Sequence, residues 1–216
     1  MDLILYAAYF LPLFILVMFI GRINAKFFLF FAWGIVAAIP VYLLEPVLFG
    51  AAAVEMPPVL VSLTITPVIE EFFKALPLLF LALPAAKLRD REILLYALAS
   101  GIGFSIIETG LVASPNLLAV LTHSFSTALM HACTCGIIGY GIVLAGHFDR
   151  RAFMALMLGF YSLAVTIHAL YNLLGSAYFG TAGFCIDLVF PVLLFFLLLL
   201  CYKTDIHALI TSGKKA

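Results

Sequence analysis

The sequence predicts an all-α protein, a polytopic transmembrane helix bundle of about seven spans that forms one membrane domain over residues 1–216. Hydrophobic residues make up 66% of the chain and charged residues only 10%, whereas soluble domains have about 25% charged residues. The apolar residues also form long runs, and crossing a bilayer core of about 30 Å takes roughly 20 helical residues. Composition and run length together predict an integral membrane protein.

The charges of the chain balance, with 11 basic and 11 acidic residues and a formal net charge of zero. A chain without excess positive charge gives no reason to expect nucleic acid as a partner. Its four cysteines lie in apolar runs, which is typical of packed or lipid-facing thiols rather than of disulfides or zinc ligands. The expected surroundings of the chain are therefore the lipid bilayer.

The hydrophobic runs, cut at bilayer length, predict seven spans. In chain order these spans cover residues 3–20, 27–50, 58–84, 93–113, 117–146, 152–175 and 183–201. The first run is interpreted as a retained span, because it follows Asp2, lacks a basic region and is too long for a signal peptide. In the third run, Thr66 and Pro67 resemble a helix cap followed by proline, so the helix is expected to restart just before Glu70.

Lysine and arginine side chains between the spans predict the orientation of the chain. Ten of the 11 basic residues fall in alternate loops, on one side of the membrane. They are Arg22, Lys26, Lys87, Arg89, Arg91, Arg150, Arg151, Lys203, Lys214 and Lys215. This pattern predicts an extracytoplasmic N-terminus and a cytoplasmic C-terminus. The eleventh basic residue, Lys74, lies inside the third predicted span.

Several ionisable side chains lie at membrane depth, where a charge costs about 2.5 to 3.5 kcal/mol on insertion scales and usually has a function. Counting about 1.5 Å per residue from the cytoplasmic ends places Glu71, Glu108, His131 and His168 roughly 20 to 24 Å into the membrane. Four different spans therefore deliver ionisable groups to one layer. A set of unrelated packing residues would not be expected to do so, and the convergence predicts a single site.

Helical spacing indicates which of these side chains share a face. Glu70 and Lys74 are four residues apart and Glu71 and Lys74 three apart, so the ammonium can reach either carboxylate and partly neutralise the pair. On span six, His168 and Asn172 are also four residues apart. The alternative explanation, a buried polar network that only fixes helix packing, accounts poorly for so many unbalanced acids.

The fourth span adds one more pair at helical spacing, Phe104 and Glu108. Carboxylates, imidazoles and an amide at one depth suit hydrolysis of a carbonyl compound, with a buried glutamate accepting a proton from water and histidine or asparagine stabilising the oxyanion.

A metal site is the other possibility left open by these residues. His131 and His168, with Glu71 or Glu108, could hold Zn²⁺, which normally has three protein ligands in catalytic sites. The lack of an H-E-x-x-H sequence favours the route without metal, although zinc can be held without that motif. The residue types alone do not decide between the two routes.

Four short motifs resemble those of the PrsW family of intramembrane proteases. They are IEEFFK at 69–74, GFSIIE at 103–108, MHACTCGIIGYG at 130–141 and HALYN at 168–172. Their order and spacing agree with the family over about half the chain, within a motif-bearing core of about 58–175. The layout is also similar to the wider superfamily of CAAX prenyl proteases and bacteriocin-processing relatives, whose second motif generally ends in histidine. Glu108 at that position favours PrsW.

The resemblance implies an endopeptidase of the bacterial cytoplasmic (inner) membrane that cuts a single-pass membrane protein, by family expectation an anti-sigma factor. The residues that carry over by motif are Glu70, Glu71, Glu108, His131, His168 and Asn172, with Lys74 and Phe104 in support. The glutamate pair would activate water, with Glu70 as the base. The histidines would bind a metal ion or the oxyanion. Glu108 would orient neighbouring groups or bind the metal, and Asn172 would help to stabilise the oxyanion.

Two other functions remain open from the sequence. Buried glutamate, histidine and lysine also mark ion paths, so a proton-coupled transporter is one alternative. Transporters usually have internal repeats, and none is evident in the sequence. The other alternative is a catalytically silent relative that binds a membrane partner.

Overall fold

The computed structural model describes residues 24–52, 57–81, 90–111, 117–177 and 180–203, together with single residues of the stretch before Asn24. Helices occupy almost all of these ranges, and no strand occurs within them. In chain order the helices are α1 (Ala25–Ala52), α2 (Pro58–Leu81), α3 (Asp90–Leu111), α4 (Leu117–Ala145), α5 (Arg150–Ala177) and α6 (Gly180–Lys203). The prediction of an all-α protein is confirmed.

Five helices of the described ranges are long and apolar enough to cross a membrane. The spans are Ala25–Leu48, Asp90–Leu111, Leu117–Ala145, Arg150–Gly175 and Cys185–Lys203. The helix α2 differs from them because it carries two carboxylates and an ammonium in its middle. All six helices match predicted spans to within a few residues. The predicted first span, 3–20, lies outside the described residues except at single positions.

Polar side chains define where two of the helices begin. Asn24 caps α1, and its Oδ1 accepts a hydrogen bond from the backbone N–H of Phe27 at 2.8 Å. Asp149 caps α5, and its Oδ1 accepts from the backbone N–H groups of Arg151 and Ala152 at 2.9 and 3.0 Å. Such caps satisfy N–H groups that have no partner inside the helix. Asp149 thus lies at the end of the short turn that joins α4 to α5.

The expected restart of the helix before Glu70 is wrong. The helix α2 is continuous and contains both Pro67 and Pro77. A proline removes one helical hydrogen bond and leaves the carbonyl four residues earlier without its usual partner. For Pro77 that carbonyl belongs to Phe73, and Trp33 on α1 donates its Nε1–H to it at 2.9 Å. A neighbouring helix thus replaces the bond that Pro77 removes. The helix also continues through Pro67, because the φ angle of proline is compatible with a helix.

The centre of the bundle is α4, which is buried along most of its length and carries the buried free thiols Cys133 and Cys135. It packs against α3, α5 and α6, while α1 packs on the other side of α3. The helix α2 packs mainly against α1 and α5 and only sparsely against α3 and α4. The outer helices expose leucine and phenylalanine side chains, the residue types that suit contact with lipid.

Two glycines allow the three most closely packed helices to approach. A Cβ atom added at Gly101 on α3 would overlap the backbone of His131 on α4. A Cβ atom added at Gly34 on α1 would overlap the backbone of Ser100 on α3. Small residues at contacts of this kind are typical of helix packing in membranes. The position of His131 therefore depends on the absence of a side chain at Gly101.

We expect Gly101→Ala to destabilise the protein by about 1 to 3 kcal/mol, because the added methyl group must push α3 away from α4. Gly159→Ala on α5 is the matched control, since an added Cβ there meets nothing within 4 Å. Thermal unfolding of the two purified variants in detergent measures the difference. Equal melting temperatures for both variants would contradict the close approach at Gly101.

Candidate active site

Four helices bring six of the predicted site residues together. These residues are Glu70, Glu71 and Lys74 on α2, Glu108 on α3, His131 on α4 and His168 on α5. Five of them are buried, and the side chain of Glu108 is 28% exposed. The structure therefore places these side chains in one cluster inside the bundle.

The ammonium group of Lys74 lies at the centre of this cluster. Its Nζ atom is 2.7 Å from Glu71 Oε1, 2.6 Å from His131 Nδ1 and 3.8 Å from Glu70 Oε2. An ammonium group has hydrogen-bond donors and no acceptor, so Lys74 donates to both Glu71 and His131. The ring of Phe104 covers the ammonium, with its centroid 4.8 Å from Nζ. Lys74 thus connects α2 to α4.

These contacts assign the tautomers of both histidines. His131 accepts at Nδ1, so its neutral ring carries hydrogen on Nε2, which donates to Oε2 of Glu108. The Nδ1 atom of His168 lies 2.8 Å from Glu71 Oε1, and it carries hydrogen because the carboxylate can only accept. The lone pair on His168 Nε2 is then left for another partner, and this atom lies 3.6 Å from Glu70 Oε2.

The two adjacent glutamates differ in how they are bonded. Glu71 Oε1 accepts hydrogen bonds from both Lys74 and His168. Oε2 of Glu70 is buried, and no described residue gives it a hydrogen bond. Oε2 of Glu71 also lacks a partner in the described ranges, but this carboxylate is already anchored at its other oxygen. An unsatisfied buried oxygen such as Oε2 of Glu70 indicates a place for a further partner.

Three of these residues also have the chemistry of a metal site. The ligand atoms of Glu70, His131 and His168 all lie within 4.8 Å of one another, and two imidazoles with one carboxylate form a donor set of catalytic zinc sites. Glu70 and His168 each have an open donor atom, whereas His131 would have to release Lys74 or Glu108. The donor set fits zinc, although its carboxylate differs from both of those suggested by the sequence.

Three side chains that the sequence did not single out hold α2 beside the cluster. Each donates to an α2 carbonyl close to the glutamates: Tyr161 to Val68 at 2.6 Å, Trp33 to Phe73 at 2.9 Å and Ser100 to Lys74 at 2.8 Å. The only sequence signal among them is Pro77, which frees the Phe73 carbonyl. Hydroxyl and indole groups from α5, α1 and α3 therefore position the backbone that carries both carboxylates.

The cluster is most open near the carboxyl end of α3. Glu108, its partly exposed member, lies three residues before the last residue of α3, Leu111. Asn172 lies one turn beyond His168 on α5 and is half-buried. The helix α4, which carries His131, is buried along most of its length. A ligand would therefore reach the reactive groups from the end of α3.

Comparison with known proteins agrees with the motifs. The family described as PrsW family intramembrane metalloprotease matches residues 25–201. No curated protein and no solved structure matches the chain significantly. The matched stretch contains every motif on which the resemblance was based, and it covers most of the 216 residues. The chain therefore belongs to the PrsW family of intramembrane metalloproteases, and it is a multi-pass membrane protein of the protease class.

Proposed function

We propose that the chain is an endopeptidase that hydrolyses a peptide bond of a membrane-anchored protein with water activated by Glu70. The observation that carries this proposal is Oε2 of Glu70, buried and without a hydrogen bond from any described residue, 3.6 Å from His168 Nε2. Both atoms are acceptors, so one water between them would donate a hydrogen to each. The lone pairs of its oxygen would then remain free to attack a carbonyl carbon.

In the proposed reaction, the water oxygen bonds to the carbonyl carbon of the substrate while Glu70 accepts the proton of the water. The amide of Asn172 is our candidate donor to the oxyanion of the tetrahedral intermediate. The carbon–nitrogen bond then breaks as Glu70 passes its proton to the leaving amine, and the carboxylate is regenerated. Glu71 keeps His168 in the tautomer that presents Nε2, and it exchanges no proton with substrate.

Zinc is compatible with the same residues. The family description and the donor set support Zn²⁺ held by Glu70, His131 and His168. When bound there, zinc would supply a Lewis acid that polarises the carbonyl and activates water. Glu70 would then be a ligand instead of the base. The chelator 1,10-phenanthroline tests the metal route, since loss of cleavage that Zn²⁺ restores would show that cleavage requires the metal.

We also propose the topology and setting predicted from the sequence. One domain over 1–216, with its motif-bearing core at about 58–175, would cross the bacterial inner membrane seven times with the N-terminus outside. Support comes from the basic residues of alternate loops, and this topology places Glu108 toward the extracytoplasmic face. An anti-sigma factor as substrate rests on the family resemblance alone. Membership of a protease family speaks against the transporter alternative.

Glu70→Gln is expected to lower cleavage of a single-pass reporter protein by about 100-fold or more, since an amide cannot act as a base. Its melting temperature should change little, because Oε2 of Glu70 makes no hydrogen bond to the described residues. The matched variant Glu71→Gln should lower the melting temperature as well, since it leaves the Lys74 ammonium without its closest counterion. Cleavage by Glu70→Gln at the wild-type rate would contradict the role of Glu70 as the base, and no cleavage by wild type would support the catalytically silent alternative.

Lys74→Met is expected to raise the affinity of the purified protein for Zn²⁺ by about tenfold or more. The substitution removes a positive charge beside the donor atoms and frees His131 Nδ1. Competition with a fluorescent zinc chelator measures the affinity, and Lys203→Met at the exposed end of α6 is the control. Equal affinities for the two variants would contradict the placement of zinc at this cluster.

The position of the cut tests the proposed topology. We expect cleavage of the reporter close to the extracytoplasmic end of its span, because the open side of the cluster lies at the end of α3. Mass spectrometry of both product fragments locates the cut. A cut at the cytoplasmic end would contradict the proposed orientation.

A further inference from the structure

Tyr42 on α1 places a phenol beside the cluster of ionisable residues. Its side chain is half-buried, and its hydroxyl interacts electrostatically with carboxylates of three different helices, those of Glu108, Glu70 and Glu45. None of these interactions is a hydrogen bond, and no hydrogen bond joins the hydroxyl to another described residue. A tyrosine hydroxyl away from water usually has a hydrogen-bond partner. The hydrogen of this hydroxyl is therefore available to a ligand bound beside the glutamates.

The register of α1 and α3 places Tyr42 at about the level of Glu108. The two helices run parallel, because the numbers of the residues that touch across them rise together. These pairs are Asn24 with Tyr96, and Gly34 with Ser100. Tyr42 lies eight residues after Gly34, and Glu108 lies eight residues after Ser100. Both side chains are thus about two turns beyond the same contact, toward the open end of the cluster.

Apolar packing holds the ring of Tyr42 in this place. The ring packs against one group of buried residues, Ala37, Ala38, Val41 and Phe104. Ile69, which directly precedes Glu70 in the chain, packs against the same group. Ile107, which directly precedes Glu108, does so as well. The ring of Tyr42 is therefore fixed beside the two helical turns that carry these glutamates.

Tyr42 and Asn172 approach the glutamates from different sides of α2. The helix α2 packs mainly against α1, which carries Tyr42, and against α5, which carries Asn172. The helices α1 and α5 do not pack extensively on each other. A peptide bond placed next to Glu70 would therefore lie between a phenol on one side and an amide on the other.

We propose that the Tyr42 hydroxyl donates a hydrogen bond to the carbonyl oxygen of the scissile peptide bond, and that Tyr42 is a second oxyanion donor beside Asn172. This inference rests on the proposed peptidase function. It applies whether Glu70 or zinc activates the water, because both routes form an oxyanion from the same carbonyl. The bond strengthens as negative charge develops on the oxygen, so it lowers the barrier more than it tightens binding. Tyr42 keeps its proton throughout.

Tyr42→Phe tests the inference, because it removes the hydroxyl and keeps the packed ring. We expect kcat for reporter cleavage to fall about 10- to 100-fold and KM to change less than about twofold. The melting temperature should stay the same, since the hydroxyl has no hydrogen bond to a described residue. Tyr96→Phe is the matched control, about three turns before Glu108 on α3. It loses the hydrogen bond from Asn24, so it should lower the melting temperature and leave kcat unchanged.

A second substrate separates hydrogen bonding to the carbonyl from an effect on the fold. In a synthetic membrane-spanning reporter peptide, sulfur replaces the carbonyl oxygen of the scissile bond, once mass spectrometry has located that bond. Sulfur accepts weaker hydrogen bonds than oxygen does. Tyr42→Phe should therefore slow cleavage of the thioamide less than about threefold, against about 10- to 100-fold for the amide. Wild type and variant are compared on the same reporter, so the different reactivity of the two bonds cancels.

The outcome for Tyr42 is distinguishable from the outcome for the peptidase proposal. Cleavage by wild type with an unchanged kcat for Tyr42→Phe would overturn the role of Tyr42 and leave the peptidase proposal standing. An equal loss on both reporters, or a lowered melting temperature with a loss of this kind, would also overturn it, because the hydroxyl would then serve the fold. The absence of cleavage by wild type would overturn the peptidase proposal, and the role of Tyr42 with it.

Discussion

The site depends on one ammonium group placed among carboxylates and imidazoles inside an apolar bundle. A lone charge would be very unfavourable there, so Lys74 is stabilised only because Glu71 and His131 both accept its hydrogen bonds. The same contacts determine the rest of the cluster. They separate the roles of two adjacent glutamates, fix the tautomer of His131 toward Glu108, and join α2 to α4, on which it packs only sparsely. Ion pairs and hydrogen bonds therefore hold α2 against α4, whereas apolar packing holds the other helices of the bundle together.

The position of α2 is maintained through its backbone as much as through its side chains. Donors from α1, α3 and α5 reach carbonyls of α2 within a few residues of the glutamates. One of these carbonyls is free because Pro77 cannot donate to it, so the proline and Trp33 form a matched pair across two helices. On the other side, Gly101 brings α3 against the backbone of His131. Precise placement of ionisable groups thus comes from hydrogen bonds and close approach.

The sequence predicted the helices and the cluster of ionisable residues better than it predicted the hydrogen bonds within that cluster. Helix ends followed from hydrophobic length, and the expected depth in the membrane grouped Glu71, Glu108, His131 and His168 in one layer. The expected break at Pro67 was wrong because the helical dihedral angles that proline favours allow a helix to continue when packing supports it. Which glutamate stays unbonded could not be predicted, since Lys74 lies within helical reach of both and the geometry of α4 decides between them.

The uneven distribution of satisfied groups has a consequence for substrate choice. Lys74, Glu71 and His131 are bonded, whereas Oε2 of Glu70 has no hydrogen-bond partner among the described residues. A peptide bond inside a substrate helix has its N–H and C=O groups bonded within that helix, so its carbonyl is poorly accessible to water beside Glu70. An unwound segment leaves both groups free. If Glu70 activates water as proposed, the site therefore acts most readily on a span that unwinds easily at its extracytoplasmic end.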